Sequence, residues 1–202
     1  ILSGKRSDKH LAKVIGLLRA RGMSLDWAQL VGDSEARIAE AIKASHARGD
    51  VVLSCGGIGA TPDDRTRQAA ARAFGVPLCR HAEAERLIVD EYGERARPNR
   101  VLMADFPQAA ALIPNPVNRV SGFFLHRHFF VPGFPEMAWP MLEWVLDGPC
   151  ASLHDPAPPV EYSLRALGTA AESDLLELMR DVLARFPGVT LSSLPSRGDA
   201  QR

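Results

Sequence analysis

The chain is poor in several features that mark particular protein classes. It has only three cysteines, Cys55, Cys79 and Cys150, with no metal or redox spacing. So sparse and odd a set excludes a disulfide framework and suits a reducing cytoplasm, where each thiol reads as a small packed side chain. Charge of neither sign is in excess: 24 Lys and Arg balance 24 Asp and Glu. No global field therefore gathers nucleic acid or a membrane surface. No apolar run approaches the roughly 20 residues that span a bilayer. No secretory leader is visible; the chain opens on Ile1 rather than methionine, so its natural start is expected upstream. Also missing are the dinucleotide fingerprint G-x-G-x-x-G, the P-loop Gly-Lys-Ser/Thr and the nucleophile elbow G-x-S-x-G, which argues against those three sites. There is no internal repeat.

What is present centres on VVLSCGGIGATPDDRTRQAAARAFG, residues 51–75. Val51, Val52 and Leu53 predict a strand covered on both faces. Gly56, Gly57 and Gly59 predict a sharp turn that a ligand can approach closely. Thr61 is placed to N-cap a following helix, with Pro62 at its first position and Asp64 three residues after the cap; Gly75 ends it. A strand feeding a glycine turn that opens a helix forms an anion site, because free N–H groups and the positive helix end face one crevice. Asp63 and Asp64 conflict with simple anion capture. Either one is a cap turned away, or a divalent cation sits between carboxylate and phosphate.

Before this stretch, the spacing of Leu11, Val14, Ile15 and Leu18 predicts a helix over 5–21, closed by Gly22. Alternation of Leu25, Trp27 and Val31 predicts a strand over 23–31. Gly32-Asp33-Ser34 turns into a helix with Ile38, Ile42 and Ser45 inward. The alternation of helix and strand predicts a parallel sheet with helices on both faces and ligands beyond its strands' carboxyl ends. After it, 81–93 reads as helix, 101–103 and 109–113 as strands, and 114–118 as a proline-bound turn. Residues 121–131 read as an aromatic strand that can pair antiparallel with 109–113, and 136–146 as a helix with Met137, Met141, Trp144 and Val145 inward. A proline-rich linker over 148–159 leads to strand 161–167, an amphipathic helix over 172–186 (Leu175, Met179, Val182, Leu183 and Phe186 inward) and strand 189–194.

The run GGIGATPDDRT, with Gly32-Asp33 upstream and PGFPEM downstream, resembles the molybdopterin-binding domain family. That family includes molybdenum-cofactor biosynthesis proteins and the amino-terminal domain of CinA-type, competence-damage-inducible proteins. The likeness is greatest to the short CinA-like members. It implies an α/β fold, a three-layer α/β/α sandwich with a mostly parallel sheet, over residues 1–147. Residues 148–159 are then a linker, and 160–202 part of a small α/β domain. The domain's first strand is expected to be missing.

The resemblance also implies a pocket built from three loops. The first carries Ser3, Asp8, Lys9 and His10. The second carries Gly56, Gly57, Gly59, Thr61, Asp63, Asp64 and Thr66, its glycines presenting N–H groups to the terminal phosphate of molybdopterin. The third carries Pro132, Gly133 and Pro135 on the pterin side. Asp63 and Asp64 are the implied catalytic residues and ligands of a divalent cation (Mg, Mn or Co). Ser3-Gly4-Lys5 and Asp8-Lys9-His10 stand where adenylyl-transferring relatives keep a different acidic loop, which argues against that reaction.

Three readings follow: a molybdopterin or nucleotide-phosphate binding protein, a metal-dependent pyrophosphohydrolase acting on ADP-ribose, FAD or a related dinucleotide, and an oligomerising scaffold. The intact glycine turn speaks against the third. A small-molecule partner and a homodimer or homotrimer are expected. Among weaker signals, His126 and His128 share one face of their predicted strand, Asn118 reads as a turn residue, and Arg65 and Arg67 read as either ligand-facing or solvated.

Overall fold

In the computed structural model the described residues are 1–2, 4–5, 7–157, 160–165 and 171–194. The chain divides into two units, Ile1–Pro159 and Val160–Arg202. In the first, α1 (His10–Arg19) and α2 (Glu35–Arg48) precede β1 (Val52–Cys55). Next come α3 (Thr66–Phe74), β2 (Leu78–Arg80), α4 (Ala82–Tyr92) and two 3-10 turns, Gly93–Ala96 and Arg100–Ala104. Strands β3 (Asp105–Pro107), β4 (Ala111–Ile113), β5 (Gly122–Leu125) and β6 (His128–Val131) lead into α5 (Pro135–Asp147).

The main sheet has the order β1-β6-β5-β4, and β2 and β3 form a separate antiparallel pair. Strands β1 and β6 run parallel, with Leu53 opposite Phe129. The β5–β6 and β4–β5 pairs are antiparallel. The sheet is therefore mixed rather than mostly parallel. The reason lies in 121–131, which is two strands, not one: His126 adopts φ 55° and the chain reverses there.

Alternate side chains of this hairpin face opposite cores. Phe123 and Phe130 join Ile42, Ala70 and Ile88 from α2, α3 and α4. Phe129, Val131 and Ile113 join Val14, Leu17 and Leu18 of α1 and Met141, Leu142 and Val145 of α5. The α/β/α sandwich is thus realised, with α1 and α5 on one face and α2, α3 and α4 on the other. Gly122 is required where it stands, because a Cβ there would meet the Phe130 carbonyl and, at 2.9 Å, the Met141 Cε.

Several local expectations are corrected. Helix α1 starts at His10 rather than residue 5; Asp8 fixes this start by accepting from the N–H groups of His10 and Leu11 at 2.9 and 3.1 Å. Residues 23–31 form no strand and find no ladder partner among the described residues; Trp27 lies exposed beneath the Arg48 guanidinium instead. Residues 101–103 belong to a 3-10 turn, a common fate for short apolar runs that periodicity alone cannot resolve. Trp144, expected inward on α5, is instead 40% exposed.

The second unit contains a 3-10 turn, Glu172–Leu175, and helix α6, Leu176–Arg185. Leu175, Met179 and Val182 are half-buried, but Leu183 and Phe186 are exposed. Neither 161–165 nor 189–194 forms a strand; Tyr162 and Leu164 stand almost fully exposed with no partner ladder among the described residues, without which an isolated strand is not stable. The remainder of the predicted strand 161–167 lies outside the described residues.

Candidate functional site

The site lies at the carboxyl ends of the two parallel strands, β1 and β6. Each ends in a glycine-bearing loop that opens a helix: Gly56–Arg65 leads into α3, and Pro132–Phe134 into α5. The Gly56 N–H donates to the Val131 carbonyl at 2.9 Å, holding the two loops together. They approach so closely that a Cβ on Gly133 would stand 3.3 Å from the Gly56 Cα. The first loop joins them through His10, whose Nε2 lies 3.0 Å from the Gly133 carbonyl oxygen. A carbonyl only accepts, so Nε2 carries the proton and donates. Three helix N-termini, those of α1, α3 and α5, thus gather around one point, each bringing partial positive charge.

The glycine turn is built by its own hydrogen bonds. Gly56 and Gly57 have φ 106° and 70°, a conformation that side-chain-bearing residues avoid. A Cβ on Gly57 would run into the Thr66 hydroxyl. The Thr66 N–H donates to the Gly57 carbonyl at 2.9 Å, and its hydroxyl donates to the Gly56 carbonyl at 3.1 Å. Thr66 is therefore buried and engaged in shaping the turn. In contrast, the N–H groups of Gly57, Ile58, Gly59 and Ala60 donate to no acceptor among the described residues. Successive unpaired N–H groups at a turn form an anion-binding concavity.

The sequence expected Thr61 to cap α3, but the helix begins five residues later. Residues 61–64 close a turn of their own. The Asp64 carboxylate accepts from the Thr61 N–H at 3.0 Å and from its hydroxyl at 2.5 Å, and the Asp64 N–H donates to the Thr61 carbonyl at 3.0 Å. Asp64 thus locks the loop, and its carboxylate occupies the space a Cβ on Gly59 would need. Asp63 is fully exposed. The Thr61 side chain, then its own backbone N–H, hold its carboxyl below the usual range. The two aspartates are chemically distinct: one closes the turn and the other faces outward, ionised and available.

Arg67 is the residue whose role sequence reasoning left open. It is buried. Its Nη2 donates to the Gly59 carbonyl at 2.6 Å, and its Nη1 to the carbonyls of Leu102 and, at 3.2 Å, Asp105. One guanidinium therefore ties the glycine turn to the Arg100–Ala104 turn and β3. Burial pushes its pKa below the ordinary value, against the opposing charges of Asp105 and Asp64.

Of the first loop, Asp8 caps α1 and is held low chiefly by the His10 N–H. Lys9 is exposed, and Ser3 lies outside the described residues. Cys55 ends β1 beneath Asp8; burial first, then Asp8, pushes its thiol up to about 12, so it is no nucleophile. Pro135 takes the first position of α5. Asn118 accepts from the Asn115 side chain at 2.8 Å and from the Val120 N–H at 3.1 Å, the work of a turn residue. The fold separates His126 from His128: the first is exposed in the hairpin turn, the second buried. Among the described residues no cluster of three His, Cys, Asp or Glu side chains suits a metal ion, and no helix is long and apolar enough to cross a membrane.

Residues 1–151 match the family described as "Probable molybdopterin binding domain". The chain belongs to this family of molybdopterin-binding domains. A protein of Pyrobaculum calidifontis is 30% identical over 96% of this chain and 77% of its own length. A CinA-like protein of Syntrophotalea carbinolica is 35% identical over 71% of this chain, which spans only 36% of that relative. The crystal structure of CinA from Thermoplasma acidophilum, a protein of unknown function, is similar with a TM-score of 0.66 and 27% identity, covering 73% of this chain and 91% of that one. The match covers the whole sandwich, and with it the three converging loops of this molybdopterin-binding domain.

Proposed function

We propose that this protein binds the phosphate end of a pterin or nucleotide at residues 56–66. The reading is carried by one observation: four successive N–H groups, Gly57 to Ala60, lack an acceptor among the described residues where three helix N-termini meet. Such a site attracts an anion through both hydrogen bonds and helix dipoles. Molybdopterin fits it in kind, since its phosphate would take the free N–H groups while Gly133 leaves the third loop open beside them. Family membership and the likeness to CinA-type proteins support the same ligand class.

A second reading is favoured by Asp63. It is an exposed, ionised carboxylate two residues from Thr61 at the rim of the turn. A divalent ion would take Asp63 together with the ligand's own phosphate oxygens, neutralise charge and polarise the attacked phosphorus. The reaction would then be hydrolysis of a pyrophosphate bond in ADP-ribose, FAD or a related dinucleotide. Product release from ADP-ribose and FAD, with and without magnesium, manganese or cobalt, separates the readings. Metal-dependent release that vanishes in Asp63→Ala establishes the enzyme. No turnover, with molybdopterin still raising the melting temperature, establishes the binding protein.

A further inference from the structure

The third loop is fixed at both ends. The Val131 carbonyl accepts from the Gly56 N–H at 2.9 Å, and the Phe134 carbonyl accepts from the N–H groups of Met137 and Ala138 at 3.0 and 2.8 Å. Between them stand Pro132, whose ring sets φ, and Gly133, which has no such restraint. Gly133 is therefore the joint of the loop, and it is also the residue that packs against Gly56. Among the described residues its only hydrogen bond is the one its carbonyl accepts from His10 Nε2, at 3.0 Å.

The His10 ring is fully engaged by this contact. Nε2 is spent on Gly133, and Nδ1 is buried with no partner among the described residues. Neither ring nitrogen is left for a ligand. The backbone that carries the ring is set by Asp8, which accepts from the N–H groups of His10 and Leu11.

Nor is the bond needed to hold α1 on α5. Val14, Leu17 and Leu18 pack with Met141, Leu142 and Val145. Lys13 Nζ lies 3.4 Å from the Glu143 carboxylate, and Arg21 donates from Nε and Nη2 to the Asp147 carboxylate at 2.6 and 2.7 Å. The effect left to His10 falls on Gly133.

We propose that His10 is a positioning residue of the anion site, in place of the direct ligand contact that the family resemblance implies. It acts through Gly133, holding the third loop against Gly56 beside the free N–H groups. The inference rests on the phosphate reading of the glycine turn and adds the side chain that keeps the neighbouring loop in place. A loop ordered in advance spares the ligand the cost of ordering it.

Full-chain variants His10→Ala, His10→Gln, His10→Asn and Arg21→Ala test this, through calorimetric titration with inorganic pyrophosphate and the 1H–15N heteronuclear NOE of Gly133 and Phe134, which falls as fast backbone motion is released. Gln carries an N–H donor as many bonds from the backbone as His Nε2, whereas Asn stops one bond short. His10→Ala should weaken pyrophosphate about five- to tenfold, the span of one net hydrogen bond, and lower both NOE values. His10→Gln should restore affinity and NOE, and His10→Asn neither. Arg21→Ala should lower the urea midpoint at least as much as His10→Ala while leaving affinity unchanged. Unchanged affinity in His10→Ala, or an equal loss in Arg21→Ala, overturns the proposal. So does a His10→Gln protein that recovers the NOE but not the affinity, which would mark a direct ligand contact. If the wild type binds no pyrophosphate, yet Gly133 is freed in His10→Ala and held in His10→Gln, the glycine-turn reading fails and the hold on the third loop stands. If Gly133 is not freed either, both fail.

Discussion

Acid should loosen this fold through His128. The residue begins β6 and is only 1% exposed. The Ser45 hydroxyl donates to the Ile42 carbonyl at 2.9 Å, so its single proton is committed. The His128 Nε2, 2.8 Å from the same oxygen, must therefore donate. That fixes the neutral tautomer and leaves Nδ1 bare, buried and without a partner among the described residues. A second proton would place a charge in the core beside the rings of His46 and His126, with Asp50 the one opposing charge. Burial first, then those two histidines, lower the pKa from 6.5 to about 4. The native state resists protonation more than the unfolded chain, so stability is intact above pH 6.5 and falls as pH drops toward 4. The gap corresponds to a loss of at most roughly 3 kcal/mol. Asp8 and Asp147, held below the usual carboxylate range, lose their contributions lower still, as pH falls through their folded values. Urea melts at pH 7, 6, 5 and 4 read the effect, with His128→Gln as control. The wild type should lose stability across this window, and the variant, less stable at pH 7, should show a much flatter profile. A wild-type profile as flat as the variant's would refute the tautomer argument.

Other outcomes follow from the loop geometry. Asp64→Ala removes the carboxylate that closes residues 61–64 and should cost about 1 kcal/mol in a urea melt, as loss of a side-chain cap does; Asp63→Ala should leave the melt unchanged and instead weaken ligand binding or turnover. Gly57→Ala must place a side chain at φ +70° against the Thr66 hydroxyl; a loss of about 1–3 kcal/mol and of phosphate affinity is expected from melts and calorimetry. Arg67→Met leaves the carbonyls of Gly59, Leu102 and Asp105 without their shared donor and should cost about 3 kcal/mol, read as a lowered urea midpoint.

The sequence showed most of the sandwich because its helices carry long, regular stripes. It also showed the glycine turn, where only glycine satisfies the backbone. What it concealed depended on distant partners. Residues 23–31 alternate like a strand, yet alternation gives no ladder, and none forms among the described residues. The reversal at His126 is made by a residue with no turn signature, so a hairpin read as one strand and the sheet was expected to be mostly parallel. Asp64 matched a capping pattern, but it serves the loop rather than the helix. Arg67 gave no local sign of burial, since its three acceptors lie on the glycine turn and beyond residue 100.

The N–H groups of residues 57–60 are the proposed anion contacts. The direct measurement is an amide 1H–15N titration of the full chain with inorganic pyrophosphate. Saturable downfield shifts concentrated at Gly57, Ile58, Gly59 and Ala60 are expected, lost in a variant with Gly133→Val, which blocks the approach of the third loop. Shifts spread over exposed lysines and arginines, with these four amides unmoved, would contradict that assignment.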